Sequence, residues 1–231
     1  ALGGFACACR RTQSRKSSSG SWAARIRCCG DSRITEGLFG DSLEGQIVAK
    51  NFILSISDDY PESYWLEIKM LSGEESGVFK DGVAVSKDIK VCFEGSKRVS
   101  VSKLLSYDFF YSDGPNLISP RLYELMKAEN ISGVQFVNAN LLIGEVSYAG
   151  YKVLNVTDKS PVFNLKESVS EPLFSYLPDG PRWFSKIVLD DETILSSDVV
   201  RAEEESPVIV VTARVKSIFE NASVRGVQFK D

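Results

Sequence analysis

Histidine is absent from all 231 residues of this chain. Its absence excludes a Ser-His-Asp triad, a Cys-His pair, histidine general bases and histidine metal sites. Cysteine is scarce where it would matter for a fold. Cys7, Cys9, Cys28 and Cys29 lie in the first 33 residues, and Cys92 is the only one after them. A domain with one cysteine has no internal disulfide framework and fits a reducing compartment. Long apolar runs are missing too. No stretch approaches the roughly 18 consecutive apolar residues of a membrane span, so no membrane partner is expected. Nor is there a P-loop, a dinucleotide fingerprint or a nucleophile elbow.

What is present is ordinary in amount and uneven in place. The chain is 43% hydrophobic and 25% charged, as a globular domain is. Its net charge of −4 hides an asymmetry: residues 1–33 carry seven Lys/Arg against Asp31 alone, and the remainder carries 20 basic and 30 acidic residues. An acidic body repels phosphate backbones and attracts basic partners, so nucleic-acid binding is not expected. Residues 1–33 lack periodicity and are rich in Ser, Arg and small residues. They are expected to be a disordered or artefactual basic extension. A transit peptide shares that composition. Arg10-Arg11 lacks the apolar region of a twin-arginine signal, and the cysteine pairs lack the spacing of a zinc site. A single domain is expected over 34–231.

Along that domain the patterns favour strands. Residues 46–56 are rich in β-formers, and Asp58-Asp59-Tyr60-Pro61 ends them with turn chemistry. Residues 64–70 and 89–94 alternate apolar and polar, the mark of half-buried antiparallel strands. Cys92 falls on the outward face of the second of these, a passive position with no base beside it. Strands are also expected over 134–143, 151–156, 186–189 and 208–211. Residues 171–182, with Pro172, Pro178, Gly180 and Pro181, are expected to be a loop. Ser119-Pro120 starts one helix and Thr212 caps another. Leu122, Leu125 and Met126 share a face of the first, as Val215, Ile218 and Phe219 do of the second. The fold class expected is therefore α+β, a mostly antiparallel sheet with a few packed helices.

Residues 118–136 and 211–229 align without a gap at a spacing of 93, each ending in Gly-Val-Gln-Phe (133–136 and 226–229) with Arg121 on Arg214. Two similar helix–turn–strand units follow, with matched apolar positions and no matched catalytic group. The first-turn arginines are expected to pack or pair at the surface. The run from Ser119-Pro120-Arg121-Leu122 to Gly133-Val134-Gln135-Phe136, then Tyr151 to Val156, then Ile209-Val210-Val211 to Gly226-Val227-Gln228-Phe229 resembles a family of bacterial immunity proteins. These belong to polymorphic toxin systems, and their domain was long catalogued as of unknown function. The resemblance covers roughly residues 43–229. It implies a non-catalytic, cytoplasmic protein without cofactor or metal, which binds and neutralises a cognate protein toxin encoded next door.

An acidic surface suits that task, because carboxylates can occupy the groove in which a basic toxin takes substrate phosphate. The candidate partner-binding groups are Asp58-Asp59, Asp190-Asp191-Glu192 and Glu203-Glu204-Glu205. Acidic turns are also ordinary solvated surface. Two alternatives stay open: an interaction module with another partner, and a hydrolase using Asp58/Asp59 or Asp190/Asp191. Adjacent residues on a strand point to opposite faces, which counts against the hydrolase.

Overall fold

Short segments rich in β-branched and aromatic residues recur along the chain, so strands outnumber helices. The computed structural model describes residues 50–231 other than Glu74, and these hold 13 strands and three helices. In order they are β1 (Asn51–Ile56), β2 (Leu66–Met70), β3 (Val91–Gly95), α1 (Val101–Leu104), β4 (Phe109–Phe110), β5 (Leu117–Ile118), α2 (Pro120–Ala128), β6 (Val134–Ile143) and β7 (Val146–Val156). Then come β8 (Lys159–Ser160), β9 (Val169–Pro172), β10 (Arg182–Lys186), β11 (Val199–Ala202), β12 (Ile209–Thr212), α3 (Ala213–Asn221) and β13 (Val227–Lys230). The basic extension, its four cysteines and the start of the domain at residue 34 lie outside the described residues.

Three sheets form: β2-β3-β6-β7-β5-β4, β13-β1-β12-β11-β8, and the pair β10-β9. Every ladder is antiparallel except β3 with β6 and β8 with β11. The mixed, mostly antiparallel architecture is the one the sequence predicts. Strand pleating explains how two sheets feed three cores. In β7, Tyr151 and Val153 enter one cluster with Leu66, Phe93 and Phe110. Leu154 and Val156, on the other face, enter a second cluster with Phe52, Leu54, Ile209 and Val211. Leu122 and Met126 of α2 and Val215 and Phe219 of α3 complete it, each side chain contributing about 1.5–3 kcal/mol by burial. Ile53 and Val210 point away into a third cluster with Val162, Phe163 and Phe184. Residues 209–211 read as wholly apolar because both faces of β12 are covered.

Both longer helices begin and end alike. Ser119 Oγ accepts from the Leu122 amide (3.1 Å) and Thr212 Oγ1 from the Val215 amide (3.5 Å). At their ends, Asn130 (φ 52°) and Ser223 (φ 51°) turn left-handed. The Ile131 amide then donates to the Met126 carbonyl (3.0 Å) and the Val224 amide to that of Phe219 (2.9 Å), closing the last carbonyls of each helix. The contacts between the two are reciprocal. Arg121 of α2 pairs with Asp108 and donates to the Ala222 carbonyl at the end of α3 (3.0 Å). Arg214 of α3 pairs with Asp198 (3.0 Å) and donates to the Glu129 carbonyl at the end of α2 (2.5 Å). The first-turn arginines are therefore ties between helix ends.

Several expectations are corrected. Residues 171–182 are not a loop throughout: Glu171 and Pro172 end β9, and Arg182 begins β10. Pro172 is tolerated because it pairs with Arg182 at the end of the ladder, where its missing N–H costs nothing. The strand expected at 186–189 is displaced. Lys186 closes β10, and Leu189 makes only an isolated bridge with Phe163. Tyr64 sits in a 3-10 turn, so its strand begins at Leu66.

Candidate functional site

The three acidic groups named from sequence meet different fates. Asp58 and Asp59 are both exposed in the turn after β1. Asp58 accepts from Gln228 Nε2 (2.6 Å) and lies 3.8 Å from Lys230 Nζ, both on β13. That is one edge of the five-stranded sheet. Glu203, Glu204 and Glu205 follow β11 beside β8, the opposite edge. They do not form one acidic face. Glu203 is exposed, but Glu204 accepts from the Val162 and Phe163 amides (3.0 Å each). Glu205 is half-buried, and burial pushes its carboxyl up. The run therefore offers less charge to a partner than its composition suggests.

Asp190-Asp191-Glu192 lies close to that turn. The Val162 carbonyl accepts from the Asp190 amide (2.9 Å), while its own amide is held by Glu204. The fold thus brings 190–192 and 203–205 to either side of one residue and leaves 58–59 apart. Asp190 is spent locally, its carboxylate accepting from the Glu192 amide and the Thr193 hydroxyl (3.1 Å each). Asp191 and Glu192 are exposed.

These two carboxylates stand at a cleft of about 610 Å³ whose other wall is formed by residues 163–167. Local chemistry fixes that wall. Asn164 Oδ1 accepts from the Lys166 amide (3.1 Å) to make a side-chain turn. The Ser168 hydroxyl accepts from the Val188 amide (2.9 Å). Below, Phe163 and Phe184 meet edge to face with centroids 5.0 Å apart, anchoring the β9–β10 hairpin to the third core. The rest of the hairpin points outward. Of 14 exposed large apolar residues among those described, eight fall between 165 and 194, six of them on the hairpin itself, residues 169–186. Tyr176 (80% exposed) and Ile194 (84%) are extreme, and Phe174 and Trp183 accompany them. Residues 163–195 also carry three basic and six acidic side chains, a net −3. An apolar projection with an acidic surround is unlike scattered surface hydrophobes, and is the composition of a protein-binding patch.

Chemistry of other kinds is thin among the described residues. No group of three or more His, Cys, Asp or Glu is placed to hold a metal. Cys92 is half-buried on β3 and its thiol is pushed up by burial, so it is a poor nucleophile at neutral pH. No helix among the described residues is long and apolar enough to cross a membrane. The sequence pattern missed the apolar hairpin, since its prolines and Gly180 mark a loop and give no reason to single out the apolar residues within it. It also missed Arg201, a buried cation in the middle of β11. Compared with protein-family models and with curated proteins, the chain has no match.

Proposed function

We propose that this chain is a non-catalytic immunity protein of a bacterial polymorphic toxin system, acting in the cytoplasm without a cofactor. It binds and neutralises a cognate toxin encoded next door. The supporting observation is the hairpin: six exposed large apolar side chains on residues 169–186, within a segment (163–195) of net charge −3. A toxin that acts on nucleic acid presents a basic cleft. Asp191 and Glu192 would steer it and take the place of phosphate, while Phe174, Tyr176 and Trp183 would supply contact area. The two units that end in Gly-Val-Gln-Phe are, on this proposal, duplicated scaffold. In support, Leu54 of β1 faces Phe229 as Leu154 of β7 faces Phe136. Ile53 faces Val210 as Val153 faces Leu117. The two strands of each unit thus flank a strand from elsewhere in the chain, β7 between β5 and β6 and β1 between β12 and β13.

Co-expression with the adjacent toxin gene should restore growth, and continued killing by a toxin shown to be active would defeat the proposal. Replacing Phe174 and Trp183 together with alanine should weaken binding about 100-fold while the melting temperature holds. Replacing Asp191 and Glu192 with lysine should instead slow association and flatten its salt dependence. Unchanged affinity and on-rate in these two variants would remove the hairpin as the site. Glu204 is the wrong residue for such a test, because its carboxylate holds two backbone amides.

A further inference from the structure

A second cleft, independent of the hairpin and of toxin binding, has a charge at its base. It encloses about 540 Å³ and is lined by Phe79, Leu154, Ile209 and Pro207 on its apolar side, with Arg201 among them. Arg201 is 8% exposed. Its Nη1 donates to the Ser206 carbonyl (2.6 Å), Nη2 to the Phe79 carbonyl (3.4 Å) and Nε to the Val156 carbonyl (3.5 Å). These acceptors are neutral. No carboxylate among the described residues forms an ion pair with it, although a buried cation left without one costs several kcal/mol. Lys159 lies directly across the β8–β11 ladder from Arg201, a like charge where a partner of opposite sign would be favourable. Burial also pushes the guanidinium pKa down, since nothing nearby compensates it.

The backbone is shaped around this group. Gly82 has φ +60°, and a Cβ there would lie 3.1 Å from Arg201 Nε and 3.0 Å from Lys159 Cε. The Ser206 hydroxyl donates to the Lys80 carbonyl (2.8 Å), pinning residues 79–82 to the turn after β11. After its three carbonyl contacts, each Nη of Arg201 keeps one N–H with no acceptor among the described residues. A guanidinium that offers an N–H from each Nη can hold one carboxylate through both of its oxygens.

We propose that this cleft binds a monocarboxylate with a compact apolar body, its carboxylate on Arg201 and its body against Leu154 and Ile209. Lys80, Asp81 and Asp113 line the same cleft, so its four charged side chains including Arg201 sum to zero, a balance that suits one negative charge on Arg201 better than the two of phosphate. The volume falls in the range of small-molecule sites, about 300–1,000 Å³. The same chemistry is carried by a free acid and by the C-terminus of a peptide ending in leucine, and the two can be separated.

The test is ligand-observed NMR and thermal shift on the full chain, with 4-methylpentanoate, its amide, inorganic phosphate and a tripeptide ending in leucine. Saturable binding of the acid, with none of the amide or of phosphate, is the expected result. A tripeptide that binds at least tenfold more tightly than the free acid would assign the site to a chain end. Arg201→Gln should abolish binding. Because that variant also breaks three structural contacts, Asn116→Phe provides a second arm. Asn116 lines the cleft, is half-buried, and its side chain has no hydrogen-bond partner among the described residues. Filling the cleft there should weaken binding at least tenfold with the fold retained. The proposal is overturned if the folded wild type shows no saturable binding of any carboxylate probe up to about 10 mM. It is likewise overturned by tighter binding of phosphate, or by undiminished binding in folded Asn116→Phe.

Discussion

Gly133→Ala should remove about 4 kcal/mol of stability and lower the melting temperature by about 10 °C. Gly133 has φ +85°, where an alanine costs about 1–2 kcal/mol on its own. The larger part is steric. A Cβ at Gly133 would lie 1.9 Å from the Val199 carbonyl oxygen and 2.9 Å from Ser197 Cβ. That carbonyl belongs to β11, and the neighbouring Val199 amide donates to Ser132 (3.2 Å), so relief requires separating the α2 turn from a core strand. Gly226 is the milder case at 2.4 Å from the Phe109 carbonyl, with φ +93°. Gly144 provides the control: its φ is +64°, and nothing lies within 4 Å of a Cβ there. Gly144→Ala should therefore cost only the conformational part, about 1 kcal/mol. Urea denaturation of the three variants measures the ordering. Equal losses at Gly133 and Gly144 would show that the close approach to Val199 is not a constraint.

The sequence made α2, α3 and their neighbours legible because their signals are local, whereas the four-residue α1 (Val101–Leu104) is too short to carry one and is not expected from the sequence. Ser119-Pro120 and Thr212 are caps whose function needs only the next three residues, and β6 matches its expected bounds, 134–143. Strands whose signal depends on the far side of the sheet were harder. β11 carries Arg201 at its centre, and an arginine in Val-Val-Arg-Ala argues against burial until the carbonyls around it are known. β9 and β10 are short and bounded by Pro172 and Pro181, so turn chemistry outweighed their strand character. β7 runs back to Val146, through Gly150, where alternation from the sequence alone breaks off. The site shows the same division. Runs of acid at 58–59, 190–192 and 203–205 are visible as charge. Which carboxylates are free depends on long-range backbone contacts, such as the Val162 and Phe163 amides that claim Glu204. The exposed hairpin was illegible for a related reason: its prolines mark a loop, and only the fold shows Tyr176 and Trp183 exposed together on paired strands and their turn.

Asp108→Ala should cost about 3 kcal/mol, mostly from the hydrogen bonds the buried carboxylate accepts, because its ion-pair partner Arg121 is 56% exposed and stays solvated when freed. Asp108 is 4% exposed. Its carboxylate accepts from the Ser119 hydroxyl (2.8 Å), the Arg225 amide (3.0 Å), and Nε (2.9 Å) and Nη2 of Arg121. Alanine would leave that amide without an acceptor and release Arg121 from the end of α3. Asp198 occupies the matching place beside Ser132 and Arg214, but its side chain is 18% exposed, and Asp198→Ala should cost about half as much. pH separates the charge from the shape. Burial alone would raise the Asp108 carboxyl, but hydrogen bonds from Arg121, Arg225 and Ser119 outweigh it and hold the group below its ordinary value. A carboxyl lowered on folding contributes stability that is fully present above its unfolded pKa of about 3.9 and fades as pH falls through the folded value. The nearly isosteric Asp108→Asn lacks that titration. The stability gap between wild type and Asp108→Asn should therefore be constant from about pH 7 to pH 5 and shrink below about pH 4, measured by urea denaturation at each pH. A gap of the same size at pH 3 and pH 7 would mean that the charge of Asp108 contributes nothing, and that its shape alone ties α2 to α3.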